Sequence, residues 1–219
     1  DCFVSTIAPE DGEYIVEIRA AAYQGNGRYR AHIGTFPRPK AVYPAGGQAG
    51  TEVEVTVIGD EKGEFKKKIK LPAEPDDAYG VFTEHEGLIP PSANPFRVSA
   101  FPNIMENEEI NDSYSKVKES SGTLPLAFNG ILQAKTNAEG EPTLDSDYFR
   151  FTAKKGQRFR FRAHCRKISS PVDPVMHVFS YLKDKDGKMV FKTLGGSDDA
   201  DGSADSRYDF NAPADGDYF

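Results

Sequence analysis

This chain of 219 residues has no tryptophan, two cysteines and three methionines, and no apolar run near the roughly 20 residues a membrane helix needs. No long helical period is visible, and no segment reads as a secretory leader. No G-x-S-x-G nucleophile turn occurs. The histidines, His32, His85, His164 and His177, have no metal-ligand spacing. Catalysis therefore has no visible constellation to work with, and a non-enzyme is expected. The opening DCFVSTIAPEDG lacks an initiator Met, as expected of a mature or excised piece. A net charge of −7 argues against nucleic acid as the main partner and suits solubility or cation binding. Cys2 and Cys165 leave two readings open, a disulfide in an oxidising compartment or two small buried apolar groups.

What is present is β-forming. Fifteen Phe and ten Tyr can dominate small cores, and twenty Gly with fifteen Pro fall mostly between alternating runs. The stretch that organises the chain runs from Asp147 to Cys165. Phe149 and Phe151 share one face before the turn Lys154-Lys155-Gly156-Gln157. Phe159, Phe161, Ala163 and Cys165 share one after it. A period of two means half-buried strands, and the short Gly-containing turn predicts an antiparallel hairpin. Arg158, Arg160, Arg162 and Arg166 fall on the opposite face. Such a row repels itself unless acids of the neighbouring strand, or an anionic polymer, lie across it.

Three segments follow from composition. In residues 1–36, Tyr14 to Arg19 and Tyr29 to Ile33 read as strands around Gly25-Asn26-Gly27. Pro37, Pro39, Pro44 and Gly46-Gly47 then mark a boundary. Residues 37–104 read as a small immunoglobulin-like β-sandwich. Val53, Val55 and Val57 point inward with Glu52 and Glu54 outward, and further strands lie near Phe65–Leu71, Tyr79–Phe82 and Phe96–Ser99. The Cys–Trp–Cys core of true immunoglobulin domains is absent, so only the architecture is expected. Residues 105–219 open on an acidic stretch, a helical turn or a linker. Strands follow near Phe128–Leu132, Val175–Leu182, Met189–Phe191 and Tyr208–Phe210.

The two ends echo each other. Ala8-Pro9-Glu10-Asp11-Gly12-Glu13-Tyr14 returns as Ala212-Pro213-Ala214-Asp215-Gly216-Asp217-Tyr218 at an offset of 204, with five of seven positions identical. Repeats change a fold assignment. Here residues 1–36 read as the end of one β unit and 105–219 as the beginning of the next copy. A unit short of strands exposes an edge, so residues 13–33 are expected to complete it, within one chain or head-to-tail between chains.

Glu109-Ile110-Asn111-Asp112, Asp145-Ser146-Asp147-Tyr148-Phe149-Arg150-Phe151, Lys155-Gly156-Gln157, Ser170-Pro171-Val172-Asp173-Pro174-Val175, Asp205-Ser206-Arg207 and the Ala-Pro-Ala-Asp-Gly-Asp-Tyr run follow in order. Together they resemble the bacterial pre-peptidase C-terminal (PPC) domain over about two-thirds of the chain. The middle unit resembles the immunoglobulin-like spacers beside such domains in large planctomycete surface proteins. The resemblance implies an all-β fold, a jelly-roll-like sandwich beside the immunoglobulin-like one, secreted or on the cell surface and non-catalytic. With the terminal repeat, adhesion or assembly among copies of the chain is expected. Its alternative is a targeting module, for protein or polysaccharide, of a larger secreted hydrolase.

Some members bind calcium, which takes six to eight oxygens. The matching positions are Glu109, Asn111, Asp112, Asp145 and Asp147. Where such members carry a further acid two residues before the Glu, this chain has Asn107. A weaker calcium candidate is the loop Asp198-Asp199-Ala200-Asp201-Gly202, which lacks the closing Glu of an EF-hand.

Overall fold

The structure, a computed structural model, describes residues 4–20, 27–107, 113–117, 122–137, 139–183 and 185–219. Among them the chain is nearly all β; its one helical element is a 3-10 turn, Arg166–Ile168.

In the first unit alternation sets the core. Strands β1 (Ala41–Tyr43), β3 (Glu52–Ile58) and β4 (Phe65–Lys70) form one antiparallel sheet in the order β1-β3-β4. β2 (Gly46–Gln48) runs parallel to β7 (Arg97–Ser99), and β5 (Gly80–Val81) pairs with β6 (Asn94–Pro95). Val42, Val55, Val57, Leu71, Val81, Phe96 and Val98 are buried together, while Glu52 and Glu54 stay exposed. Removing that apolar surface from water, at about 25 cal/mol per Å2, is what holds the short strands together. Gly47 faces this core so closely that a Cβ would meet the Leu71 side chain at 2.5 Å.

The boundary expected after residue 104 is bridged. β8 (Asn103–Met105) runs parallel to β9 (Ala127–Asn129), pairing Asn103 with Ala127 and Met105 with Asn129. Asn129 Nδ2 donates to Asn103 Oδ1 at 3.0 Å, and Asn103 Nδ2 donates to the Gly46 carbonyl at 3.1 Å. One chain of amides thus ties the two units.

The second unit holds a small hairpin, β10 (Lys135–Thr136) with β11 (Pro142–Thr143), and two larger sheets. β12 (Phe151–Ala153), β14 (Met176–Lys183), β15 (Met189–Ser197) and β17 (Gly216–Tyr218) form one in the order β12-β17-β14-β15. β13 (Arg158–Arg162) pairs with β16 (Arg207–Asn211) in the other. The expected hairpin is therefore corrected: β12 and β13 lie in different sheets. The tight turn is there, with the Gln157 N–H donating to the Lys154 carbonyl at 2.9 Å, but it turns a corner. Phe151 then meets Phe159 and Phe161 across the core, with ring centroids 5.1 and 5.3 Å apart. Phe151, Ala153, Val178, Phe210, Ala212 and Tyr218 are buried there.

The strands expected at residues 14–19 and 29–33 are not formed, and among the described residues these segments pair with no strand. Ile15 is 93% exposed.

Candidate functional site: a repeated tyrosine turn and two acidic loops

β17 is short and central. Its Tyr218 is fully buried, and the Tyr218 hydroxyl donates to the Ala214 carbonyl four residues earlier at 2.7 Å. Asp217, on the outer face, accepts from Arg150 and from Thr152 Oγ1 at 2.7 Å. Those contacts hold the Asp217 carboxyl below its ordinary range, the Arg150 hydrogen bond first, against some burial. The strand pairs with β12 through Phe151 and Tyr218, and with β14 through Ser180 and Tyr218. Phe219 and Phe179 then exchange both backbone hydrogen bonds, at 2.8 and 3.0 Å.

Met176, His177 and Val178 pair with β15 on one side and, among the described residues, with no strand on the other. Tyr148 and Phe149, which lead into β12 from the opposite flank, pair with no strand either.

The N-terminal copy of the motif has the same local form. The Tyr14 hydroxyl donates to the Glu10 carbonyl, also four residues earlier and also at 2.7 Å. Tyr14 is 55% exposed, and Val16 and Ile18 are exposed after it. The seat that Tyr14 matches is already held by Tyr218.

Of the first calcium set, Glu109, Asn111 and Asp112 lie outside the described residues. Asp145 and Asp147 are described and take different roles. Asp145, only 3% exposed at its side chain, accepts from Lys135 Nζ at 2.8 Å and from the Gln133 and Ser146 N–H groups. Burial works against its charge, but the lysine and the two amides outweigh that and hold its carboxyl below the ordinary range. Asp147 instead converges with Glu106: Oδ2 of one and Oε2 of the other both lie within 3.2 Å of where a Gly130 Cβ would stand. Glu106 also accepts from the Ile131 N–H. Sequence reading passed over Glu106, though its place three residues before Glu109 in the same acidic stretch was a usable signal. Lys135 had none.

In the second loop Asp198, Asp199 and Asp201 do not gather into a metal-type cluster, and none of three or more His, Cys, Asp or Glu forms among the described residues. Asp201 accepts from Arg207 at 2.7 and 2.8 Å and from Arg162 at 3.2 Å, so two guanidiniums already neutralise it. Asp198 Oδ1 accepts from the Asp199 N–H.

The arginine row is answered the same way. Arg160 makes a forked pair with Asp209 across the strand, at 2.6 and 3.1 Å. Arg162 shares Asp201, and Arg158 faces Asn211. Arg166 leaves the row altogether, in the 3-10 turn. There Asp205, buried, accepts from the Cys165 and Arg166 N–H groups at 2.8 and 2.7 Å. Cys165 is a free thiol, pushed up to about 11 mainly by burial; Cys2 lies outside the described residues. His164 is lowered to about 4, by burial first and then by the Arg97 and Arg162 guanidiniums, and its Nδ1 finds no hydrogen-bond partner.

On the outer face of the four-stranded sheet aromatic rings gather. Tyr114 stacks on Phe191 at 4.2 Å and Phe179 on Phe191 at 4.5 Å, with Tyr148, Tyr181 and Phe219 around them. Among the described residues no helix is long and apolar enough to cross a membrane. Comparison with protein-family models, curated proteins and solved structures finds no match to this chain.

Proposed function

We propose that the chain is a non-catalytic extracellular repeat module for surface or matrix assembly. In this reading it has a PPC-type jelly-roll sandwich and an immunoglobulin-like sandwich, and associates head-to-tail with other copies through donated strands. The observation that carries it is the repeated tyrosine turn, buried in a sheet at Tyr218 and standing exposed at Tyr14. An apolar, alternating segment that folds its own turn and stands exposed is suited to adding to a sheet, where main-chain pairing supplies the affinity. Calcium belongs to the same reading. Glu106 and Asp147 offer the hard oxygens calcium takes, over a glycine that leaves room. In the proposal they hold the ion together with Glu109, Asn111 and Asp112, while Asp145 stays with Lys135.

Sedimentation over a wide concentration series tests the assembly. The expected result is mass growing with concentration, and a monomer at every concentration overturns it. Calcium added to chelator-treated protein should raise the melting temperature by several degrees through mass action. The Glu106→Gln/Asp147→Asn double variant should lose that rise.

A second reading, a targeting module of a larger secreted hydrolase, is favoured by the aromatic outer face. Stacked, half-exposed rings suit the apolar faces of sugars better than the acid-matched arginine row suits an anionic polymer. Retention on insoluble polysaccharide that falls with Tyr181→Ala would support it.

A further inference from the structure

We infer that the junction between the two units is a proton-operated hinge, closed while the His164 ring is neutral and freed on one side when acid charges it. The inference stands apart from the assembly reading and uses a different part of the molecule.

The units meet at two places. One is the pairing of β8 with β9, with the amide tie through Gly46, Asn103 and Asn129, which contains no titratable side chain. The other lies where β6 of the first unit packs against the 3-10 turn Arg166–Ile168 of the second. His164 stands just before that turn and just past the end of β13, half-buried. Its Nδ1 is shut off from solvent and meets no hydrogen-bond partner. Such a place suits an uncharged ring.

The charges around the ring come from both units. Arg97 on β7 acts from the first, and Arg162 of β13 and Lys167 of the turn act from the second; all three disfavour an imidazolium. Asp205, ahead of β16, opposes them. Its carboxylate is already drawn to the Cys165 and Arg166 N–H groups, so it offsets the three cations only in part. Arg97 is held in place by Asp77, with its side chain only 20% exposed.

Protonation thus adds a positive charge to a contact that offers the new N–H no acceptor. Parting β6 from the turn relieves both faults, because water then reaches the ring and Arg97 moves off. Burial first, and then those cations, keep the closed form neutral down to about 4, against an ordinary 6.5 in the open form. The preference for the closed junction is therefore full above about pH 6.5 and is lost as the pH falls towards 4. At pH 5 the open-to-closed ratio should rise about tenfold, allowing for the partial exposure of the ring. The amide tie has nothing to titrate, so the units stay joined and swing about β8 and β9.

The test reads the distance between the units. Spin labels are placed by Lys68→Cys on β4 and Lys192→Cys on β15, both exposed, in the full chain with Cys2 and Cys165 replaced by Ser. Labelled protein is diluted with unlabelled chain so that only distances within one chain are read. One narrow distance at pH 7.5 and a broad spread at pH 5 is the expected result, with near-ultraviolet circular dichroism unchanged. His164→Gln should stay narrow at both. Arg97→Gln keeps the ring but removes the first unit's cation, and should broaden less at pH 5; it decides the matter if His164→Gln fails to fold. A parent chain that stays narrow at pH 5, or is already broad at pH 7.5, overturns the hinge. So does equal broadening in His164→Gln. A distance that narrows further in acid also overturns it, since the imidazolium would then be pairing with Asp205 and tightening the contact.

Discussion

Tyr14 and Tyr218 form the same turn with the same hydroxyl-to-carbonyl distance, yet one is half in solvent and the other is fully enclosed. The turn is therefore written locally. A Pro-x-Asp-Gly corner followed by Tyr brings the ring back over its own backbone whether or not a sheet is there to receive it. What differs is the company: β12 and β14 flank the second copy, and no strand among the described residues flanks the first. Local motif and burial are separable, and only burial carries large stability.

Substitution at the two tyrosines should make that separation quantitative. Tyr218→Ala empties a filled aromatic seat and should cost about 3–5 kcal/mol by urea denaturation. Tyr14→Ala should stay within about 0.5 kcal/mol in dilute solution. Equal costs would break the comparison.

Acid sharpens it next, because the buried turn belongs to a unit that carries His164. The folded form holds that imidazole neutral down to about 4, while an unfolded chain takes up the proton near the ordinary 6.5. Stability is thus full above about pH 6.5 and is lost as the pH falls towards 4, by on the order of 2 kcal/mol after allowing for partial exposure. Chemical denaturation at pH 7 and pH 4.5 reads the loss, and His164→Gln should flatten it.

The smallest effect isolates the hydroxyl. Tyr218→Phe keeps the ring and gives up the bond to Ala214, for about 1 kcal/mol. Tyr14→Phe should leave the unfolding midpoint where it is.

Much of the β framework was legible. β3, β4, β14, β15 and β16 fall where alternation places them, and the opposed acids of the arginine row were expected in kind. Alternation reports which face of a strand is covered, not which strand lies beside it. For that reason β12 and β13 read as a hairpin when they belong to different sheets. Residues 14–19 carry the pattern of a strand, but a strand needs a partner to bond, and the pattern cannot name one. Pairings between loops were the least legible: Lys135 with Asp145, Glu106 with Asp147, and the amide tie from Asn103 to Asn129. Nothing in the spacing of such residues indicates that they meet.

The position of β17 bears on synthesis. It is made after both β12 and β14, yet it lies between them in the sheet order. Until residues 216–219 emerge, those two flanks have no shared neighbour, and the nascent unit waits with its widest sheet split in two. Chaperones that shield bare strand borders, or a pause late in translation, would act on this interval before any other.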